Sequence, residues 1–219
     1  MAHQAHLDQV NPVLNAMVMQ RREKALLEAS RSDVRSGDGA FHGVPCSIKE
    51  CFAFDGMPNS SGLLRRQNVI ADRNATAVQR YLDAGAVPLG VSNTSELCMW
   101  MESDNLVYGR SNNPYDPTRT VGGSSGGEGA LVGAGAAPFG LGSDIGGSIR
   151  MPAFFNGVFG HKPSGGLVPG TGQHPIAEGQ ALRYLSTGPI CRKAEDIWPL
   201  LQILAGPDGQ DKGCEHMEL

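Results

Sequence analysis

Sixteen of the chain's 30 glycines lie between Thr120 and Gly170, and this local excess constrains the fold more than any other feature. Glycine permits positive φ and close backbone approach, which phosphate cradles, oxyanion holes and strained nucleophile turns all exploit. There is no G-X-Y period, and proline stands at only 14. Collagen-like and low-complexity readings therefore fail.

The surrounding composition is that of a globular chain. It has 219 residues, 40% hydrophobic and 18% charged, with a net charge of -4, which suits a single domain with a real core. No basic run of five occurs, so nothing favours nucleic acid. The longest stretch without a polar side chain, 129–142, is shorter than the roughly 20 residues of a spanning helix, and Pro138 interrupts it. The N-terminus lacks the pattern of a signal peptide. Five cysteines (Cys46, Cys51, Cys98, Cys191 and Cys214) are scattered without C-x-x-C spacing. That usage fits free thiols in a reducing, intracellular compartment and gives no zinc site. Cys46 and Cys51 alternate with apolar residues and read as core fillers. No metal or cofactor is expected.

Leu7, Val10, Leu14 and Met17 recur at helical spacing, followed by Leu26 and Leu27, which predicts an amphipathic helix interrupted or begun at Pro12. The polar segment 30–40 reads as a loop. In 44–49, Val44, Cys46 and Ile48 fall on one face of a strand, while Ser47 and Lys49 fall on the other. From Asn74, a candidate N-cap, a helix runs to Gly85, and a strand follows over 86–91. Strand, helix and strand suggest a crossover in an α/β sheet. A second unit has a helix of small residues over 127–136 and a buried strand over 137–142. Further helix signals fall at 149–155 and 194–205. Residues 1–40 thus form a leading helix and loop, 41–207 the body and 208–219 a tail.

The glycine-rich body contains no G-x-G-x-x-G, and neither G-K-S nor G-K-T occurs, so a nucleotide cradle is excluded. G-x-S-x-G is satisfied twice, at Ser124 and Ser125. A nucleophile elbow needs a buried strand just before it, however, and residues 112–120 are polar and carry Pro114 and Pro117. The run GSDIGGS, 142–148, fits better. It follows a buried strand and leads into a helix, so backbone N–H groups from Ile145 to Ser148 can converge on an anion. A plain tight turn at Gly146-Gly147 is the bland alternative.

The run GGSSGGEGALVGAGAAPFGLGSDIGGSIRMP, 122–152, resembles the defining motif of the amidase signature family. HGVPCSIKE, 42–50, resembles that family's lysine motif, and the two occur in the family's order. The similarity extends from about residue 7 to 208. ELCMWMES, YGRSNNPYD and RMPAFFNG most resemble the type 2 fatty-acid amide hydrolase branch.

The resemblance implies a three-layer α/β/α fold around a mixed twisted sheet, of which this chain would hold the N-terminal half. It implies Ser148 as the nucleophile that forms an acyl-enzyme, Ser124 as proton relay across a cis Gly123-Ser124 peptide, and Lys49 as the base. A lysine accepts a proton only when neutral, which calls for burial; without the other motif, Lys49 would read as an exposed strand lysine. Ile145, Gly146, Gly147 and Ser148 would supply oxyanion donors. Ser125 would support the network or cap the following helix. Asp144 and Arg150 would hold the loop's shape, and the Cys98 backbone would contact substrate. Met99, Trp100 and Met101 would line an acyl channel or pack in the core.

The expected activity is hydrolysis of fatty-acid amides to fatty acid and amine. Hydrolysis of small soluble amides and an inactive truncated fragment are the alternatives. The implied partner is a small lipid amide. A half sheet leaves an edge uncovered, which invites association, a homodimer included. Membrane association would come only through segments absent from this chain.

Overall fold

The computed structural model describes residues 1–34, 37 and 39–219. Its centre is a mixed sheet of six strands: β1 (Met17–Gln20), β2 (Pro45–Lys49), β3 (Val87–Ser92), β4 (Phe139–Asp144), β5 (Phe159–Gly160) and β6 (Ser186–Cys191). Their order across the sheet is β1-β3-β2-β4-β6-β5. β3, β2 and β4 run parallel at the centre, while β1, β6 and β5 join antiparallel. Parallel neighbours need a crossover, and α3 (Thr76–Asp83) provides it between β2 and β3.

Helices cover both faces, which makes three layers. On one face Cys46, Ile48 and Leu141 pack with Val78 and Tyr81 of α3, and with Leu200, Leu201 and Leu204 of α7 (Ile197–Leu204). Tyr81 meets Phe139 edge-on, with ring centroids 5.2 Å apart. On the other face Val87 and Leu89 pack with Leu7 and Leu14 of α1 (Ala2–Leu14), Ala25 of α2 (Arg22–Val34), and Ala130 and Leu131 of α4 (Gly126–Gly133). The sheet's predicted alternation at Cys46 and Ile48 is therefore present, and both cysteines of the strand region, Cys46 and Cys51, lie in the core.

One irregularity matters for the site. Cys46 pairs with Pro88, but Ile48 pairs with Val91, so three steps on β3 match two on β2. The extra residue reverses which face the following side chains take. Val91 thereby joins the α3–α7 core, and Ser92 turns to the α4 side beside Lys49.

The leading helix differs from its prediction. α1 ends at Leu14, and Met17 opens β1 rather than continuing the helix. Asn11 causes the break: its Oδ1 accepts the Ala16 and Met17 N–H groups at 3.0 and 2.7 Å, and Asn15 takes a left-handed conformation. The expected loop from residue 30 is helical to Val34. Ser30 and Ser32 donate to the carbonyls of Leu26 and Glu28, which lets both serines sit in a helix. Residues 35, 36 and 38 of that segment lie outside the described residues. Asn74 does not cap α3; its side chain accepts from Asp55 N–H and donates to Gln79.

The helix signal at 149–155 becomes α5 (Arg150–Phe155), and a short helix, α6 (Ala181–Tyr184), precedes β6. The segment after Pro207 has no helix or strand, yet it is fastened down. Thr76 donates to Asp208 at 2.6 Å, Gly170 N–H donates to Asp211 at 2.7 Å, and Met217 packs on the core. Among the described residues, no helix is long and apolar enough to cross a membrane.

Candidate active site

Lys49 ends β2 on its polar face and is fully buried. That removes the reading of an exposed strand lysine. Its Nζ donates to Ser124 Oγ at 2.6 Å and to Ser143 Oγ, on β4, at 3.0 Å. Ser124 lies just before α4, and the Gly123–Ser124 peptide is cis. A Cβ at residue 123 would sit 2.6 Å from the Glu102 amide nitrogen, so only glycine lets the two backbones approach this closely.

Ser125 has no capping bond to α4. Its Oγ instead donates to the Ser143 carbonyl and accepts the Ser143 N–H, both at 3.3 Å, while its N–H donates to the Ser148 carbonyl at 3.1 Å. Ser125 thus stitches the serine loop to β4 and to the following turn. The α4 terminus is satisfied by Ser103, whose Oγ accepts Gly126 N–H at 2.8 Å.

The turn between β4 and α5 is organised around Asp144. Its carboxylate accepts the N–H groups of Gly147, Ile149 and Arg150 and a forked bond from the Arg150 guanidinium. Burial would raise its pKa, but the Arg150 bond and the backbone donors outweigh that and hold it down at about 2. Gly147 N–H is therefore committed to Asp144 at 2.7 Å. Among the described residues no such bond engages the N–H groups of Ile145, Gly146 and Ser148, which leaves three of the four expected anion donors free.

Ser124, Ser143, Ser148, Ile145 and Cys98 line one cavity of about 250 Å³, with apolar walls from Leu97, Met99, Ile176 and Leu185. Ser148 is half-buried there. Among the described residues no hydrogen bond joins its Oγ to Ser124 Oγ; the two serines share the cavity rather than a bond. A second cavity of about 400 Å³ adjoins through Gln173, Pro175 and Ile176 and contains none of the three candidate catalytic side chains. Leu97 and Cys98 both have positive φ, 52° and 58°, which brings Cys98 to the cavity wall. Contact with the Cys51 thiol outweighs burial and lowers the Cys98 pKa well below the usual thiol range. Met99, Trp100 and Met101 are 74%, 69% and 59% exposed, so none is core packing, and only Met99 reaches the cavity.

Three further residues belong to this region. Ser143 is the second partner of Lys49. Glu50 accepts Ser60 N–H, Ser60 Oγ–H, Ser61 N–H and the Tyr108 hydroxyl, all within 2.7 Å, so the residue beside the lysine anchors the neighbouring loop. Glu128, on the first turn of α4, accepts the hydroxyls of Ser47 and Ser92. The visible signal for Glu128 was an acidic residue inside a glycine-rich, otherwise apolar run, whereas Glu50, directly after Lys49, carried no such signal.

The amidase family profile matches residues 2–218. The chain is 52% identical to fatty-acid amide hydrolase 2-A of Danio rerio, over 94% of this chain and 42% of that protein. It is 54% identical to fatty-acid amide hydrolase 2 of Homo sapiens, over 90% of this chain and 39% of that protein. The fold superposes on the peptide amidase of Stenotrophomonas maltophilia with a TM-score of 0.91 at 31% identity, covering 99% of this chain and 46% of that one. The chain thus spans about two fifths of the length of these curated relatives. With the profile matched almost end to end and the fold shared, this chain belongs to the amidase family.

Proposed function

We propose that the chain carries the acylating apparatus of a serine amidase acting on fatty-acid amides, with Ser148 as nucleophile, Ser124 as relay and Lys49 as base. The observation that carries this reading is the buried 2.6 Å contact of Lys49 Nζ with Ser124 Oγ, at the wall of the cavity that Ser148 also lines. A buried lysine bonded to two serine hydroxyls is poorly explained by stability alone, because an interior ammonium is costly.

In acylation Ser148 Oγ bonds to the amide carbon and its proton passes to Ser124, whose own proton passes to Lys49. The carbonyl electron pair moves onto oxygen, which faces the free N–H groups of Ile145, Gly146 and Ser148; each such donor contributes about 3 kcal/mol. The C–N bond then breaks, and the amine leaves with the proton returned from Lys49 through Ser124. Water completes the cycle by releasing the acid from Ser148. Asp144 and Arg150 hold the donor turn in shape, and Cys98 borders the substrate. The apolar walls from Leu97, Met99, Ile176 and Leu185, together with identity to fatty-acid amide hydrolases, favour a lipid acyl group.

Fluorophosphonate labelling of the wild-type chain and of Ser148→Ala tests the nucleophile. Labelling should vanish in the variant, and labelling that persists rejects Ser148. Competition of the label by long-chain against short-chain amides tests the acyl preference, and stronger competition by the short amides rejects the lipid reading.

A further inference from the structure

Glu128 is a fully buried carboxylic acid, and among the described residues no salt bridge reaches it. Three adjacent strands nevertheless build its seat. Ser47 of β2 donates to Oε2, and Ser92 of β3 donates to Oε1 at 2.6 Å. On β4, Gly140 leaves the space: a Cβ there would fall 1.6 Å from Oε2. Both serines are strand neighbours of Lys49. Ser47 precedes it by two residues on the same strand face, and Ser92 is its register partner on the neighbouring strand. Strand geometry sets those neighbours within about 5 to 7 Å. Sinking an acid into the interior costs several kcal/mol unless it is bonded or paired, and here the β3 irregularity supplies one of the two hydroxyls that meet it.

We propose that Glu128 is a positioning residue for the base, its carboxylate stabilising the ammonium that forms on Lys49 when the nucleophile's proton arrives. The inference rests on the reading of Lys49 as base. No proton moves to Glu128: Ser148 gives one to Ser124, Ser124 gives one to Lys49, and the carboxylate acts through its field. Burial raises the Glu128 pKa to about 7, against the opposing effects of Ser47, Ser92 and Lys49, so its charge changes near neutral pH.

Other titratable groups surround it: α1 adds His3 and His6, whose rings bond the Ala136 and Ala134 carbonyls just past α4, and Arg21 is paired with Glu28 of α2. β2 adds Cys46 and α3 adds Tyr81; burial pushes both well above their usual values, so they stay neutral. β3 contributes none. The β4 acid, Asp144, is neutralised by Arg150 of α5, and the Cys191 thiol of β6 is pushed up to about 12. Lys49 is left as the basic side chain whose ammonium form, once the proton has arrived, answers to Glu128.

Two measurements on the whole chain test this. In the first, the Glu128 carboxyl carbon is titrated by NMR in wild type and in Lys49→Met. The midpoint should lie near 7 in wild type and move upward in the variant, since Met cannot take up the proton whose charge on Lys49 favours the ionised acid; an unmoved midpoint overturns the inference without requiring activity. In the second, fluorophosphonate labelling is followed against pH for wild type and Glu128→Gln. The rates should differ by about tenfold above pH 8, the effect of roughly one pKa unit of interaction, and converge below pH 6, where the wild-type acid is already neutral. A deficit equal at every pH, or no deficit, overturns it. Should Glu128→Gln not fold, Ser92→Ala replaces it: loss of one hydroxyl donor should move the break in the wild-type profile to higher pH, and an unmoved break counts against the inference. A Lys49→Met chain that labels like wild type instead rejects the base itself, a separate failure.

Discussion

Arg150 grips the Asp144 carboxylate with Nε on Oδ2 at 3.1 Å and Nη2 on Oδ1 at 3.0 Å, while the acid itself is fully buried. This fork closes the turn that carries Ser148. The Asp144 pKa is held at about 2, below the roughly 3.9 of an unfolded chain. A depressed acid stabilises the fold fully above its unfolded value, and the contribution disappears as pH falls through the folded one. The difference amounts to about 2 to 3 kcal/mol. Urea unfolding of wild type and Asp144→Asn should therefore show a gap that is wide at pH 5 and narrower by about 2 kcal/mol at pH 2. A gap independent of pH would show that the charge is not what stabilises the turn.

Gly140 and Glu128 compete for one volume. A methyl group at residue 140 would overlap Glu128 Oε2 and approach Ser47 Oγ to 2.8 Å. Overpacking of this kind costs about 1 to 3 kcal/mol. Gly140→Ala should lose that much in chemical denaturation, and Gly140→Ala combined with Glu128→Ala should lose less than the sum of the two single changes, because the truncated acid frees the space. Additive losses would mean that the strain lies elsewhere.

The central sheet was readable because its strands carry their pattern in their own residues. Cys46 and Ile48 alternate with Ser47 and Lys49, and the glycine run forces α4 close to β4. The other strands lack such a signature. β1 has four residues, and Leu14 and Met17 continue a helical spacing that only the Asn11 side chain interrupts. β6 contains Gly188 and Pro189, which weaken any strand signal, and its six-residue pairing with β4 supplies what the local sequence does not. In the site, Lys49, Ser124 and Ser148 were reached through motif resemblance. Ser143 and Glu128 act across 94 residues to Lys49 and 81 to Ser47, separations at which no local pattern applies. The commitment of Gly147 N–H to Asp144 likewise follows from the turn's geometry rather than from its composition.

The segment after Pro207, although without helix or strand, is tied to the body by Asp208 and Asp211. Its residues Gln210, Asp211, Lys212 and Gly213 also wall the larger cavity. Burial would raise the Asp208 pKa, but the hydroxyls of Thr171 and Thr76 and backbone N–H donors outweigh it and hold the acid well below the usual carboxylate range. Deleting residues 208–219 should lower the thermal midpoint by several degrees, the size expected for about 1 kcal/mol in a domain of this length. Circular dichroism melting makes the comparison. An unchanged midpoint would return the segment to the status of a loose tail.

Lys49 Nζ has two hydroxyl partners of unequal consequence, Ser124 Oγ at 2.6 Å and Ser143 Oγ at 3.0 Å. The first contact lies on the proposed proton path; the second only holds the amine in place. Lys49→Met keeps the buried volume and removes the base, so fluorophosphonate labelling should fall by about 10² to 10⁴, the usual contribution of a positioned base. Ser143→Ala removes the bond to Lys49, about 1 kcal/mol, and a long contact with the Cys51 thiol at 3.8 Å, and should slow labelling only several-fold. The rates should be read beside near-ultraviolet circular dichroism, since both side chains lie in the core region and a lost fold would lower them alike. With the fold intact, equal losses for the two variants would remove the distinction between relay and support, and place Ser143 on the proton path beside Ser124.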